Sequence, residues 1–153
     1  MNATLRSYRP DDFETLHAID QTCYPRGIAY SKRSLRWFLA LPGADCIVAE
    51  TAGRMAGFIL CEAERPYGHI ITIDVLEPFR RSGMGSALLQ EAERRLAERG
   101  VQAIELETAH DNDAAIAFWQ KHGYRTRGVY KRYYLGRVDA LAMAKLLATS
   151  KET

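Results

Sequence analysis

The chain has 153 residues, 47% of them hydrophobic and 26% charged, with a formal net charge of +2. That is the length of one ordinary domain, enough to bury roughly 70% of the unfolded chain's surface, and so weak a charge excludes the strongly basic face of a nucleic-acid partner. No run approaches the ~20 apolar residues of a membrane span, and residues 1–6 lack an apolar signal core, so the expectation is a cytoplasmic protein without a membrane partner.

Residues 4–8 read as a first strand. Arg9-Pro10-Asp11-Asp12 then opens a helix whose Phe13, Leu16, Ile19 and Cys23 form one apolar face. Pro25 and Gly27 break it, and Ser31 is placed as the N-cap of a second helix that turns Leu35, Phe38 and Leu39 inward. Strands follow at 46–51 and 55–64 around Ala52-Gly53-Arg54. Pro66-Tyr67-Gly68 makes another turn, and 69–76 is a central strand, apolar on both faces. A long helix spans 83–99, with Met84, Leu88, Ala92 and Leu96 on one side and Gly100 at its end. Then come a strand at 101–108, a short helix at 112–122 closed by Gly123, and strands at 124–130 and 139–146. There is no repeat or linker, so residues 1–153 read as one mixed α/β domain. Cys23, Cys46 and Cys61 are odd in number without Cys-x-x-Cys spacing, which suggests small buried hydrophobes and neither disulfide nor metal.

Chemistry concentrates where the central strand gives way to the long helix, in Arg80-Arg81-Ser82-Gly83-Met84-Gly85-Ser86. The first turn of a helix has backbone N–H groups without intrahelical partners and the positive end of the dipole, which makes it an anion site. Glycines at 83 and 85 remove side chains that would block a phosphate, and Arg80 and Arg81 can add charge-assisted hydrogen bonds. The glycines alone could merely shape a turn. Strand end, arginines, spaced glycines and helix start together favour a pyrophosphate cradle. A P-loop would need Gly-x-x-x-x-Gly-Lys-Ser/Thr, which is absent. A dinucleotide fingerprint would need a third glycine where Leu88 stands, although Glu105 and Glu107 lie near the position of a ribose-binding acid, so that reading stays open.

Arg80-x-x-Gly83-x-Gly85 resembles the Arg/Gln-x-x-Gly-x-Gly/Ala motif of the GNAT superfamily of N-acetyltransferases, and the order of elements is similar from about residue 4 to 146. Asn112, Ala115, Ile116, Ala117, Phe118 and Gly123-Tyr124 resemble a second signature of that family. The resemblance implies a mainly antiparallel sheet of about seven strands with flanking helices and a parallel, splayed pair at its centre. It implies acetyl-CoA as cosubstrate and no metal. Ile73, Asp74 and Val75 would offer backbone groups to the pantetheine arm. Arg80 to Ser86, Met84 among them, would hold the pyrophosphate. Asn112 would touch the cofactor, or simply cap its helix, or both.

For transfer to an amine, Glu107 matches the catalytic base of the ribosomal-protein Nα-acetyltransferases that the chain most resembles. His69 stands where a eukaryotic Nα-acetyltransferase subgroup has a catalytic Tyr. That subgroup is also similar at Leu76-x-Pro78-Phe79-Arg80-Arg81. Many members place a Tyr four residues before the conserved glycine as general acid to the thiolate; here the position is Trp119, which reads as core or cofactor packing. Tyr134 or a water could take over the acid's role. Tyr133-Tyr134 resembles a pair that lies in a hairpin loop and binds the substrate's first residues. Residues 24–30, with Tyr24 and Tyr30, would wall the acceptor site. The acceptor expected is a protein or peptide α-amino group, with a small-molecule amine or a catalytically silent acetyl-CoA-binding module as alternatives. Nothing in the sequence sets the oligomeric state, which leaves a homodimer open.

Overall fold

The computed structural model describes residues 3–147. Seven strands form one sheet: β1 (Thr4–Ser7), β2 (Ala44–Thr51), β3 (Arg54–Glu64), β4 (Tyr67–Val75), β5 (Ala103–Ala109), β6 (Arg125–Tyr134) and β7 (Val138–Leu146). Their spatial order is β1-β2-β3-β4-β5-β7-β6. Every neighbouring pair is antiparallel except β4–β5. That one parallel pair joins only Tyr67–His69 to Ala103–Glu105. Beyond it the two strands diverge, because β5 stays fully paired with β7 while β4 stays with β3.

Helices α1 (Phe13–Cys23) and α2 (Lys32–Leu39) cover one face, and α3 (Met84–Glu98) and α4 (Asp113–Lys121) the other. Ser31 caps α2 by accepting from Ser34 N–H at 3.1 Å, as its sequence position predicts. Helix α3 buries Met84, Leu88, Leu89, Ala92 and Leu96 against Ile47, Ile59, Ile70 and Ile104. Each fully buried aliphatic side chain contributes about 1.5–3 kcal/mol, which fixes the helix and its N-terminus on the sheet. The opposite core joins Phe13, Leu16, Ile19 and Leu35 to Val48, Phe58 and Leu60. Cys46 and Cys61 are buried and Cys23 is half-buried.

The strand limits and one register differ in places from those read in the sequence. Strand β4 begins at Tyr67, which its place between Pro66 and Gly68 assigns to a turn, because it pairs with Glu64 on one side and Ala103 on the other. The register of β3 on β4 shifts between Leu60 and Cys61, which face Thr72 and Ile70 and leave Ile71 as a bulge. Strand β6 runs on to Tyr134, so Tyr133 and Tyr134 end a strand rather than occupying the loop. Left-handed φ values at Arg132 and Leu135 bend the hairpin there, and Arg132 N–H donates to Asp139 Oδ1 at 2.8 Å.

Candidate active site

The loop after β4 turns through one 3₁₀ turn, Glu77–Phe79, then Arg81 at φ 63° and Gly83 at φ 89°, before α3 starts at Met84. Gly83 supplies the left-handed residue this turn needs, and a Cβ there would meet nothing within 4 Å, so the approach to the amides of residues 84–86 is open. These groups lie at the positive end of the α3 dipole and suit a diphosphate. The second glycine serves packing instead. A Cβ on Gly85 would lie 3.3 Å from the Phe118 ring, so Gly85 lets α4 pack against α3.

The side chains of this loop are mostly engaged with the protein itself. Arg80 Nε donates to Val75 O at 2.7 Å and its Nη2 lies 3.7 Å from Cys23 Sγ. Ser82 Oγ donates to Phe79 O. Ser86 Oγ is hydrogen-bonded to His122 Nε2 at 2.8 Å. Burial lowers the pKa of His122, the effect of nearby Lys121 and Lys145 adding to it against the pull of Glu93. Met84 is a core side chain, so only its backbone can meet a ligand, whereas Arg81 is exposed. Asn112 Oδ1 accepts from Ala115 N–H at 3.1 Å and caps α4.

Between β4 and β5 the sheet opens. Leu76 N–H donates to Ala56 O, so the alternation of an antiparallel ladder turns the backbone groups of Ile73 and Val75 toward the opening and those of Asp74 toward β3. The expectation that Asp74 offers its backbone to a pantetheine arm is therefore corrected: its backbone serves the ladder and its side chain lies under α1. Tyr24 is corrected as well. Its hydroxyl donates to Ile73 O at 2.8 Å, and burial, then the charge of Asp74, raises its pKa. It locks loop to strand instead of presenting a free hydroxyl to an acceptor. Trp119 is 5% exposed within the α3-side core and packs edge-on against Tyr124, with centroids 5.4 Å apart. It is a core residue and not part of the cleft wall.

At the point where β4 and β5 part, His69 Nε2 and Glu107 Oε1 are 2.8 Å apart. Glu62, His69 and Glu105 are cross-strand neighbours in adjoining registers, and Glu107 follows Glu105 on the same face. Burial opposes charge on His69, but the Glu107 hydrogen bond and the carboxylates of Glu107, Glu105 and Glu62 outweigh it and raise the pKa. A groove of about 410 Å³ beside this pair is lined by Glu62, Glu64, Tyr67, His69 and Glu105. A larger one, about 540 Å³, lies between α1 and the β2–β3 turn around Arg6, Asp12 and Arg54, away from all of these groups.

Three tyrosines close the other side. Tyr30 is pushed up to about 12 by burial, with Tyr133, Asp20 and Glu107 adding to the effect. Tyr134 is raised further, by burial and then by Tyr133, Tyr30 and Glu107. Tyr133 is 52% exposed, with its ring 4.9 Å from that of Tyr134. The 24–30 loop and the β6–β7 hairpin touch directly, since a Cβ on Gly27 would collide with Leu135. The structure thus brings His69 to Glu107 with Tyr30, Tyr133 and Tyr134 close enough to act on one another, while the Gly83 turn and Ser86 lie at the start of α3 and Asn112 caps α4. Sequence reasoning missed His122, Leu135 and Glu62, whose roles come from partners 30 or more residues distant in some cases, as Ser86 and His122 are.

The profile of the "Acetyltransferase (GNAT) family" matches residues 11–124. An N-alpha-acetyltransferase of Sulfurisphaera tokodaii is 33% identical over 114 residues, which cover 66% of this chain and 68% of that protein. Among solved structures, the ribosomal-protein-S18-alanine N-acetyltransferase from Escherichia coli is similar with a TM-score of 0.89 at 25% identity, covering 99% of this chain and 98% of the other. Ard1 from Thermoplasma volcanium is similar with a TM-score of 0.89 at 27% identity, covering 97% and 99%.

Proposed function

Because this chain belongs to the acetyltransferase (GNAT) family, we propose that it transfers an acetyl group from acetyl-CoA directly to the α-amino group of a protein or peptide. Relatives named for N-terminal substrates, an N-alpha-acetyltransferase and a ribosomal protein bS18-alanine N-acetyltransferase, support the choice of acceptor. The observation that carries the reading is the His69–Glu107 pair, 2.8 Å apart, at the mouth of the β4–β5 opening. Acetyl-CoA would supply an activated acetyl thioester. The amides at the start of α3 would hold its diphosphate, and the inward-turned groups of Ile73 and Val75 its arm.

An ammonium must lose a proton before it can attack. An α-amino group has a pKa near 8, so roughly a tenth is already neutral at pH 7, whereas a lysine side chain is neutral to less than about one part in a thousand. Glu107, hydrogen-bonded to His69, is the proton acceptor, directly or through one water. His69 steadies the carboxylate and shares the proton. Burial, then Tyr133, Tyr30 and Glu107, raise the Tyr134 pKa, which makes its phenol a hydrogen-bond donor and only a weak acid toward the leaving thiolate. A solvated thiolate, with a thiol pKa near 8.5, can leave without a strong acid. The adjoining groove carries Glu62, Glu64 and Glu105 together with Arg65 and His69, so its charge is mixed and does not by itself choose between a peptide and a polyamine.

A screen of N-terminal peptides against polyamines with acetyl-CoA, read by free-thiol release, tests this. Peptide-dependent thiol release is the expected result. Release with polyamines alone would move the acceptor to small amines. Slow hydrolysis indifferent to every amine would leave a binding module.

A further inference from the structure

Under α1, two carboxyl side chains are buried against each other. Asp20, on α1, has no exposed surface, and Asp74, on β4, is 1% exposed. Each uses one oxygen conventionally: Tyr30 N–H donates to Asp20 Oδ2 at 2.7 Å, and the Thr72 hydroxyl donates to Asp74 Oδ1 at 2.6 Å. The other two oxygens, Asp20 Oδ1 and Asp74 Oδ2, find no donor in any neighbouring residue. The end of α1 is seated on β4 here, with Tyr24 O–H donating to Ile73 O and Cys23 Sγ lying 3.5 Å from Val75 O, and Asp20 raises the pKa of Asp74. An ionised carboxylate only accepts hydrogen bonds, so these two carboxyls can satisfy each other's remaining oxygens only when one of them carries a proton. Two like charges at this depth would be strongly destabilising, and the one nearby cation, Arg80, only partly offsets the burial of Asp74.

We propose that Asp20 and Asp74 hold a single proton between them, and that Asp74 is thereby a positioning residue which fastens the acceptor-side loop, at Tyr30, to the strand that carries His69. The proposal rests on reading the β4–β5 opening as the acetyl-transfer site. Tyr30 is the link. Its N–H is held by Asp20, its carbonyl accepts from Gln21 Nε2 at 2.7 Å, and its ring meets Phe38 edge-on at 5.3 Å. Its phenol feels Tyr133 and Glu107. With the shared proton between the two carboxyls, Thr72, Asp74, Asp20 and Tyr30 form one chain of hydrogen bonds from β4 to the acceptor wall.

The pKa of Asp74 is raised by burial and then by Asp20, against the opposing effects of Thr72 and Arg80. The other titratable groups around the pair are Cys23 and Tyr24 at the end of α1, Tyr30 on the loop, Cys46 on β2 and Arg80 after β4. Cys23, Tyr24, Tyr30 and Cys46 are all raised and stay neutral at physiological pH. Loss of the shared proton at alkaline pH would set two buried like charges against each other and release the loop. His69 and Glu107 would stay in place, so acceptor affinity should suffer and turnover should not.

The infrared difference spectrum of wild type minus Asp74→Asn at neutral pH should contain the C=O stretch of one protonated carboxylic acid. Asp74→Ala should raise KM for the peptide about tenfold, the worth of one hydrogen bond to a charged group, with kcat and the KM for acetyl-CoA within about twofold. Asp74→Asn, whose carboxamide donates to Asp20 without titrating, should restore acceptor KM and keep the Tyr30 amide protected from exchange at alkaline pH, where wild type loses protection. No acid band would overturn the proposal. So would equal impairment in both variants, or a fall in kcat at constant KM. If Asp74→Ala does not fold, the band and the pH dependence of Tyr30 protection still decide. If no amine is acetylated at all, the reading of the cleft fails, while those two measurements continue to judge the pair.

Discussion

The two ends of the cleft are made of different material. The donor end, around Gly83, presents backbone amides, while Met84 is in the core and Arg80, Ser82 and Ser86 are tied to Val75, Phe79 and His122. The acceptor end presents side chains: His69, Glu107, Tyr30, Tyr133 and Tyr134. Backbone amides are the same for every residue type, so the donor end can stay constant while its side chains stabilise the loop. On the proposed function, the acceptor end would take its specificity from five side chains on four separate elements, and single substitutions there should change chemistry or recognition without disturbing the other end.

The strongest way to break this division is Glu107→Gln. Loss of a general base should lower kcat with peptide by about 10²–10⁴-fold, with the Kd for CoA, measured by calorimetry, unchanged. A weaker Kd would mean that the ends are not independent. Gly83→Val is the reciprocal change. A β-branched residue at φ 89° is strained and covers the amides. The Kd for CoA should rise about ten- to hundredfold, the effect of removing one charge-assisted hydrogen bond, with acceptor KM at saturating acetyl-CoA near the wild-type value. Next in size is Tyr134→Phe, which removes a hydroxyl held near Glu107. Peptide KM should rise about three- to tenfold, with kcat nearly constant because the phenol is not the proton source. A collapse of kcat would make Tyr134 the acid after all.

The same contrast explains what could be read from the sequence. Gly83, Arg80 and the apolar spacing of Met84, Leu88, Ala92 and Leu96 mark a strand end, a turn and a helix start, because local geometry dictates those residue types. The fold was legible for that reason, down to the Ser31 cap and the parallel pair implied by the family resemblance. The acceptor end was legible only through that resemblance. Nothing local brings His69 to Glu107, which are 38 residues apart, or pairs Asp20 with Asp74. The misplaced residues have the same origin. Tyr24 is an aromatic residue in a suggestive place, but its partner, Ile73 O, comes from tertiary packing; of the two readings of Trp119, core or cofactor packing, the structure shows the core, against the Tyr124 ring. Tyr67 has the neighbours of a turn residue, yet strands on both sides claim it.

The smallest effect is also the most discriminating, because each end of the cleft has its own histidine. His69 is raised by its carboxylates and His122 is lowered chiefly by burial. Imidazole resonances followed by NMR should therefore titrate on opposite sides of the ordinary value near 6.5. The signs for stability follow. Stability contributed by His69 is fully present below its unfolded pKa and is lost as pH rises through the folded one. His69→Gln should thus cost most in mild acid and least at alkaline pH. For His122 the contribution is present above the unfolded pKa and lost as pH falls through the lowered folded value. Adding CoA then separates the ends. A diphosphate on the first turn of α3 would lie close to the Ser86–His122 hydrogen bond and would pull the His122 pKa upward, an effect that falls off within a Debye length of about 8 Å at physiological salt. His69, at the other end of the cleft, should not move. Equal shifts at both histidines would place the charge nearer the acceptor end than the Gly83 turn, and the division between a backbone-built donor end and a side-chain-built acceptor end would have to be abandoned.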